Sequence, residues 1–346
     1  MSKMLDEIRE QPVALERTLR GQMAEVKKLR RRLAEKRPRW ILLAARGTSD
    51  NAAQFGRYLL EITTGIPVSL AAPSVFTLYK KTLNFEDTLV IAISQSGEST
   101  DTNEVLEQAR AGGALTVGIT NERESSMARL AEHVLHVRAG KEKSVAATKT
   151  YTGQLLSLYL VAYALGGDIQ LDDLKKLPDW TATALKLEDK IAELAPRYRF
   201  MDHAVVIGRG LNYSNAFELA LKMMETSYVI AERFSSADLL HGPIAMVEQG
   251  FPAFVFAPPG VTWPGLKELI EKLQGLRADT TIITDASNPE AVKVNPRSIV
   301  VPVKLKELYT PIPYIVPAQI FAACLAGEKG LNPDQPRTLS KVTLTM

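Results

Sequence analysis

The sequence predicts an α/β fold of two tandem doubly wound domains, each with a five-stranded parallel sheet flanked by helices. Short apolar runs of strand length alternate with longer amphipathic stretches from about residue 40 to residue 303. The first strand of each half also enters a similar turn, Ala45–Asp50 in one half and Gly208–Tyr213 in the other, and each turn leads into a helix. The two turns lie much farther apart in the chain than the ~20–50 residues of a solenoid unit, so the repeat indicates a duplicated domain.

The candidate strands are apolar runs bounded by polar or turn residues. In the first half they are Trp40–Ala45, Pro67–Ala71, Thr88–Ser94, Ala114–Thr120 and His133–Val137. In the second half they are His203–Gly208, Tyr228–Ala231, Pro252–Ala257, Thr280–Thr284 and Ser298–Val303. Helices are expected at 51–62, 102–111 and 151–165.

These elements divide the chain into five expected segments. A helical segment, 1–36, precedes the first domain at 37–166. A helical linker at 167–197 follows the breaker pair Gly166-Gly167, and the second domain occupies 198–316. Residues 317–346 form a C-terminal helix and tail.

Composition excludes several classes of protein. The net charge of +3 over 346 residues is too small to indicate nucleic-acid binding, and Glu25 and Glu35 flank the basic run Lys27–Arg32, which favours a solvated helix face. The longest apolar run, 155–165, is shorter than the ~20 residues of a membrane span, and the N-terminus has no apolar signal core, so we expect a cytoplasmic protein. One cysteine, and histidines without ligand spacing, predict no metal site. The glycine fingerprint of dinucleotide binding is absent, so we expect no cofactor.

A turn rich in hydroxyl groups follows the third candidate strand. Ser94-Gln95-Ser96-Gly97-Glu98-Ser99-Thr100 leads into a helix, and Thr48-Ser49 closes the first strand similarly. Backbone N–H groups at a helix N-terminus attract anions, and small hydroxyl residues let a phosphate approach. Serine also caps helices, but one cap needs only one such residue. We therefore predict a phosphate site here, while the equivalent turn, Ala257–Gly260, lacks the hydroxyls.

The second half contains a charged stripe on an otherwise apolar helix. Glu218, Lys222 and Glu225 have i, i+4, i+7 spacing and share one helical face. Such a stripe is either a solvated edge or a set of groups turned into a cleft. His241 follows in a loop before Gly242-Pro243, and histidine is suited to proton exchange near neutral pH. These residues are therefore candidates for acid–base chemistry.

Several stretches together resemble the isomerase half of glucosamine-6-phosphate synthase, a pair of sugar-isomerase (SIS) domains, over about residues 40–346. The matching stretches are Arg46–Ser49, Ser94–Ser99, Ser144–Lys149, Glu218–Glu225, His241–Pro243 and Asp334–Lys341.

The resemblance implies a role for each matching residue. The sugar phosphate would be held by Ser49, Ser94, Gln95, Ser96 and Ser99, the last replacing a threonine usual in the family. Val145 would touch the sugar through its backbone. Glu225 would carry the proton between C1 and C2, assisted by Lys222, with Glu218 positioned nearby.

The resemblance also implies groups from the loop and the tail. His241 would open the sugar ring from the neighbouring subunit of a homodimer. Lys341 would form a Schiff base with the open-chain ketose or lie against its carbonyl, so that the tail closes the active site. Both halves would then serve one substrate.

The sequence departs from the family pattern at two places, and these departures determine which reaction we predict. Nothing resembling a glutaminase cysteine nucleophile precedes residue 40, and Ala237–Leu240 replaces the Gly-Glu-Leu-Lys usual before the histidine. We therefore expect a glucosamine-6-phosphate deaminase that releases fructose 6-phosphate and ammonia by C1–C2 proton transfer. The alternatives are a deglycase of fructosyl-amino-acid 6-phosphates and a sugar-phosphate sensor without catalysis.

Overall fold

The computed structural model describes residues 2–295, 297–339 and 341. They form two compact units. The first-sheet unit contains residues 11–142, 149–176 and 341, and the second-sheet unit contains residues 2–10, 143–148, 177–295 and 297–339. The predicted domain boundaries stay a prediction.

The helices are, in chain order, α1 Lys3–Arg9, α2 Gln11–Glu35, α3 Thr48–Thr64, α4 Pro73–Thr77, α5 Thr100–Ala111, α6 Ser126–Leu130, α7 Lys149–Ala164, α8 Leu171–Leu174, α9 Leu177–Leu185, α10 Glu188–Leu194, α11 Tyr213–Ser227, α12 Ser236–Leu240, α13 Trp263–Gly275, α14 Pro289–Val294 and α15 Pro311–Glu328. The strands are β1 Trp40–Ala44, β2 Val68–Leu70, β3 Thr88–Ser94, β4 Leu115–Thr120, β5 His133–His136, β6 His203–Gly208, β7 Ile230–Ser235, β8 Pro252–Phe256, β9 Asp279–Asp285 and β10 Ser298–Val301.

Each unit contains one five-stranded, all-parallel sheet, as the sequence predicts. The first sheet has the order β2-β1-β3-β4-β5, and the second has β7-β6-β8-β9-β10, which is the same order for the second set of strands. The central strands β3 and β8 are almost continuously apolar because both of their faces are buried. The repeated strand order supports a duplicated α/β domain.

The edge strand β7 differs from its predicted position. The sequence predicts Tyr228–Ala231, but the strand begins at Ile230 and continues to Ser235. Tyr228 instead ends α11 in the left-handed conformation, with φ of 55°. Glu232 and Arg233 are exposed on this edge strand. Because the strands were predicted from apolar runs, these two polar residues ended the predicted strand too early.

Both ends of the chain also differ from the sequence prediction. The N-terminal segment is two helices, α1 and α2, separated at Glu10. Helix α15 begins at Pro311 rather than Pro317, and Pro317 lies inside it. Proline in a first helical turn removes no intrahelical hydrogen bond, which is why Pro311 and Pro313 are compatible with this start. Across the described ranges, no helix combines the length and apolarity of a membrane crossing.

Candidate active site

The hydroxyl-rich turn lies at the point of the first sheet where the strand order reverses. Strands β1 and β3 are neighbours, while β2 lies beyond β1 and β4 lies beyond β3. Ligands of open parallel sheets bind outside the carboxyl ends of strands at such a switch point. Ser49 follows β1 at the start of α3, and Ser94 ends β3, so the predicted phosphate residues lie at this edge.

Hydroxyl groups organise the backbone of this turn. Ser94 Oγ accepts the N–H of Gly97 at 3.1 Å, and Ser96 Oγ accepts the N–H of Glu98 at 3.2 Å. Ser99 is the N-cap residue of α5, and its hydroxyl lies 3.0 Å from Thr102 Oγ1. Ser94 is buried, while Gln95, Ser96 and Ser99 are partly exposed. The N-terminus of α5 is therefore surrounded by neutral oxygen atoms that also donate hydrogen bonds.

Gly97 is required by this turn for two reasons. Its φ of +67° lies in the left-handed region, where side chains are disfavoured. A Cβ atom at this position would also overlap the hydroxyl of Ser125. Close packing of the glycine against Ser125 therefore holds the turn in its position.

Two carboxylates beside the turn are fixed by hydrogen bonds. Glu98 accepts the backbone N–H of Ser126 at 2.9 Å and its hydroxyl at 2.7 Å, and the hydroxyl bond lowers the pKa of Glu98. The buried Asp101, in the first turn of α5, accepts Nε of Arg46 at 3.0 Å and Nη2 at 2.6 Å through Oδ2. Burial raises the pKa of Asp50, and Arg46 opposes that shift.

Sequence reasoning did not assign a role to Arg46, although it lies in the turn after β1. Its side chain is 50% exposed while Asp101 holds one side of the guanidinium. A guanidinium offers five N–H donors in a fixed plane, so one carboxylate oxygen does not use its full donor capacity. Arg46 is therefore a candidate phosphate ligand, and an arginine in the β1–α3 turn is the signal that could have identified it.

Lys341 lies beside a buried carboxylate that sequence reasoning also missed. Its Nζ is 3.2 Å from Oε2 of Glu142, whose side chain is fully buried. Glu142 also accepts the backbone N–H of Thr150 at 3.2 Å and the Thr150 hydroxyl at 2.7 Å, at the start of α7. The same helix places Gln154, whose Nε2 donates to Ser49 Oγ at 2.9 Å. Helix α7 thus orders both a predicted phosphate residue and the partner of Lys341.

The charged stripe of the second-sheet unit is an ion-paired group rather than a solvated edge. Lys222 and Glu218 are fully buried on α11, and the Glu225 side chain is 22% exposed. Nζ of Lys222 lies 2.5 Å from Oε2 of Glu225 and 3.5 Å from Oε1 of Glu218. A buried charge is tolerated only when it is paired, and here Lys222 lies between the two carboxylates.

This arrangement gives Glu225 the properties of a positioned base. One oxygen of its carboxylate is held by the buried Lys222, and the side chain remains partly exposed. Helix α11 fixes that position, because it is one unbroken helix from Tyr213 to Ser227 and most of its residues are buried. A carboxylate that is both accessible and fixed can accept a proton from a bound ligand.

Val145 and His241 lie outside this ion-paired group. Val145 is partly exposed in the irregular segment 143–148, directly after the buried Ser144. His241 ends α12 and is exposed. The two histidines of β5 contact protein groups: His133 Nδ1 lies 2.7 Å from Glu25 and His136 Nε2 lies 2.6 Å from the Asn121 carbonyl.

A pocket of the first-sheet unit lies at the wrong edge to be this site. It has a volume of about 310 Å³ and includes Trp40 and Thr88 in its lining. These residues begin β1 and β3, so the pocket lies at the amino ends of the strands. The hydroxyl-rich turn is at their carboxyl ends, where ligands of such sheets bind.

The family model that describes the SIS domain matches residues 33–164 and 199–322. The chain belongs to the SIS domain family. Each match includes one of the two five-stranded sheets. The SIS pair is similar to the isomerizing glutamine--fructose-6-phosphate aminotransferase of Pyrococcus horikoshii, with 38% identity over 98% of this chain and 57% of the relative. The chain thus spans a little over half the length of that curated relative.

Two solved structures are also similar to this chain over nearly its whole length. The C-terminal domain of glucosamine-fructose-6-phosphate aminotransferase from Francisella tularensis has a TM-score of 0.87 and 27% identity, covering 97% of this chain and 98% of that one. Glucosamine-6-phosphate deaminase from Thermotoga maritima has a TM-score of 0.81 and 25% identity, covering 99% and 100%. The resemblance predicted from the sequence, to the isomerase half of the synthase, is confirmed.

Proposed function

We propose that this chain is an amino-sugar-phosphate isomerase and deaminase, which converts glucosamine 6-phosphate and water to fructose 6-phosphate and ammonia. The observation that carries the proposal is the group on α11, in which the buried Lys222 holds the partly exposed carboxylate of Glu225 at 2.5 Å. A structural ion pair does not require an accessible carboxylate, whereas proton transfer to a ligand does.

In this proposal the first-sheet unit binds the phosphate group. Ser94, Ser96 and Ser99 supply hydroxyls, and the N-terminus of α5 supplies backbone N–H groups and the positive end of a helix dipole. Ser49 and Gln95 complete the phosphate residues implied by the resemblance. Arg46 adds a full positive charge beside the turn.

The second-sheet unit moves the proton. The C2–H of the open-chain aldose is acidic because it neighbours the C1 carbonyl, and the Glu225 carboxylate removes it. The electrons of that bond form the C1–C2 double bond as the C1–O1 π bond breaks, and O1 takes a proton from water, which gives an enolamine. Glu225 then returns a proton to C1 while the amino nitrogen releases one to water, and the product is the 2-imine of fructose 6-phosphate. Water adds to C2, and ammonia leaves.

The remaining predicted residues have auxiliary roles. Lys222 holds Glu225 in place, and Glu218 contacts the other side of the same ammonium group. The exposed His241 opens the sugar ring of a substrate bound by a second copy, so the active enzyme is a homodimer. Lys341, held by Glu142, engages the carbonyl, and Val145 contacts the sugar through its backbone.

The names of similar proteins support the substrate class. The curated relatives are named as isomerizing aminotransferases of fructose 6-phosphate, and a deaminase of glucosamine 6-phosphate matches this chain over its full length. Both names contain an amino-sugar 6-phosphate or the corresponding ketose. The deaminase is the reaction that needs water as the only second reactant.

The test is ammonia release from glucosamine 6-phosphate by the purified full chain. We expect ammonia and fructose 6-phosphate in equal amounts, and a 10²- to 10⁴-fold lower rate for Glu225→Gln, the range lost with a general base. Glu232→Gln is the matched control, because Glu232 is an exposed carboxylate on β7 of the same unit. No release above the Glu225→Gln rate would reject the deaminase.

The same assay distinguishes the alternatives. Fructosyl-amino-acid 6-phosphates, supplied in parallel, would release an amino acid if the chain is a deglycase. Tight binding of a sugar phosphate without turnover of any of these compounds would identify a sensor. If the chain interconverts glucose 6-phosphate and fructose 6-phosphate but releases no amine, the proposed isomerase activity is supported and the proposed deaminase activity is rejected.

A further inference from the structure

The short helix α1 is capped by the C-terminal tail of the same unit. Asp334 accepts the Ser2 hydroxyl at 3.0 Å and the backbone N–H groups of Lys3 and Met4, each at 2.8 Å. A carboxylate at this end satisfies free N–H groups and favours the helix dipole. Asp334 therefore fixes the start of α1 although 330 positions separate it from Met4.

The middle of α1 is fixed against the rest of the second-sheet unit. Met4 and Ile8 are fully buried, and α1 packs against α15. Arg9, at the last turn, pairs with Glu188 of α10 at 2.5 Å. Helix α1 is thus a rigid attachment of the unit rather than a loose terminus.

The far end of α1 holds the segment that contains Val145. The Glu7 carboxylate accepts the backbone N–H of Lys143 and, at 3.1 Å, the N–H of Ser144. Glu7 is only 4% exposed. Residues 143–148 are neither helix nor strand, so the N–H groups of Lys143 and Ser144 have no ladder partner and require acceptors such as this one.

Packing alone does not explain a glutamate at this position. A buried carboxylate is costly to desolvate, and an apolar residue would fill the space without that cost. What a carboxylate adds is two oxygen acceptors that fix two successive peptide groups in direction and position. The next peptide group after them belongs to Val145.

We propose that Glu7 is a positioning residue for the sugar, and that α1, fixed by Asp334, carries it. This inference rests on the proposed function, in which the Val145 backbone contacts the sugar. Glu7 fixes the two peptide groups before Val145 and thereby sets where the Val145 backbone meets the ligand. A displacement of about 1 Å at such a contact can cost 10²-fold in rate.

The test measures KM for glucosamine 6-phosphate and the inhibition constant of inorganic phosphate in the full chain. Glu7→Ala removes both acceptors, and we expect KM to rise about tenfold, the effect of losing one neutral hydrogen bond between the Val145 backbone and the sugar. Phosphate inhibition should stay within twofold of wild type, because the hydroxyl-rich turn belongs to the first-sheet unit and does not depend on α1. Amide exchange at Lys143 and Ser144 should accelerate.

Two further variants separate positioning from folding. Glu7→Gln keeps one carbonyl acceptor and should recover part of the KM, and it decides the question if Glu7→Ala fails to fold. Asp6→Ala is the matched control, since Asp6 is a half-exposed carboxylate on the same helix that contacts Arg9. It should leave both constants unchanged.

Each outcome either supports or overturns the inference. A wild-type KM in folded Glu7→Ala and Glu7→Gln, with turnover intact, overturns it and leaves the proposed function standing. A KM and a phosphate constant that rise together also overturn it, because they indicate general disruption. If wild type neither binds nor converts a sugar phosphate, the proposed function fails and the inference fails with it.

Discussion

The two sheets carry equivalent turns at their switch points, and the two turns are satisfied differently. In the β3–α5 turn the backbone N–H groups of Gly97 and Glu98 donate to serine hydroxyls. In the β8–α13 turn, Val261 N–H and the Thr262 hydroxyl donate to the carboxylate of Glu307 at 2.8 and 2.5 Å. Gly260 allows this approach, because a Cβ there would overlap Glu307. Both helix N-termini attract anions, but the second is neutralised by the protein itself.

This difference indicates which of the two turns is open to a phosphate. A hydroxyl group is neutral and yields to a phosphate that brings charge to the helix N-terminus, whereas a phosphate would have to displace a negative carboxylate from the second turn. The second-sheet unit instead has its buried ion-paired group on α11, with Lys222 between Glu218 and Glu225. The two sheets therefore share their strand order, whereas the positions of the charged groups differ between the two units.

The largest expected effect concerns the ion-paired group. Lys222→Met leaves the buried Glu218 carboxylate without its cation, and we expect the free energy of unfolding to fall by about 3–5 kcal/mol, measured by urea denaturation. Arg46→Met is the matched change in the first-sheet unit, and should cost less, about 1–2 kcal/mol, because Asp101 is buried but water reaches the half-exposed Arg46 side of the pair. Adding Glu218→Gln to Lys222→Met should restore part of the loss. Equal losses for Lys222→Met and Arg46→Met would contradict the difference between the units.

The next effect concerns the glycine of the hydroxyl-rich turn. Gly97→Ala combines a positive φ with overlap on Ser125, so we expect the turn to shift and KM for the sugar phosphate to rise roughly 10- to 100-fold. Gly113→Ala has the same backbone strain, with φ of +81°, but no atom within 4 Å. Steady-state kinetics should therefore show a normal KM for Gly113→Ala. If KM rises in both variants, backbone strain in general would explain the effect, and the position of the hydroxyl-rich turn would not.

A smaller effect tests the neutralised turn. Glu307→Ala removes the acceptor of Val261 and Thr262, and we expect the free energy of unfolding to fall by about 1 kcal/mol, as for a lost cap. Inorganic phosphate should then raise the melting temperature of this variant more than that of wild type, because a phosphate replaces the carboxylate at α13. Glu307→Gln keeps one of the two oxygen acceptors, so it should lose less stability. If phosphate raises the melting temperatures of Glu307→Ala and wild type equally, Glu307 does not occupy an anion-binding position at this turn.

The smallest effect is a pH dependence at the first turn. The Ser126 hydroxyl bond lowers the pKa of Glu98 below its ordinary value of 4.5. A lowered pKa means that the ionised group stabilises the fold fully above pH 4.5 and that this contribution is lost as pH falls through the folded-state pKa. Melting temperatures between pH 3 and 6 should therefore fall slightly less steeply with acid for Glu98→Gln than for wild type. Because Glu98 is exposed, identical profiles would show that its bonds to Ser126 contribute nothing to stability.

Local patterns in the sequence were sufficient for the fold and for part of the site. The buried strands β3 and β8 are continuous apolar runs, and the serine turn follows one of them directly. The stripe of Glu218, Lys222 and Glu225 was visible as helical spacing, but its burial was not. Whether such a stripe faces solvent depends on which elements pack against it, which periodicity alone does not contain.

The residues that sequence reasoning missed act through partners that are distant in the chain. Glu142 meets Lys341 across 199 positions, and Glu7 meets Ser144 across 137. Glu307 reaches Thr262 across 45 positions. A single carboxylate among many has no local pattern that distinguishes it, so only the folded chain identifies these pairs.

The central claim is that the first-sheet unit binds the phosphate and Glu225 breaks the C2–H bond. The most direct test is the rate of loss of the C2 proton of glucosamine 6-phosphate, followed by proton NMR in D₂O. At saturating substrate we expect Gly97→Ala to lose the proton within about threefold of the wild-type rate, and Glu225→Gln at least 10²-fold more slowly. A Glu225→Gln rate equal to that of wild type, or a Gly97→Ala rate that stays low at saturation, would contradict the claim.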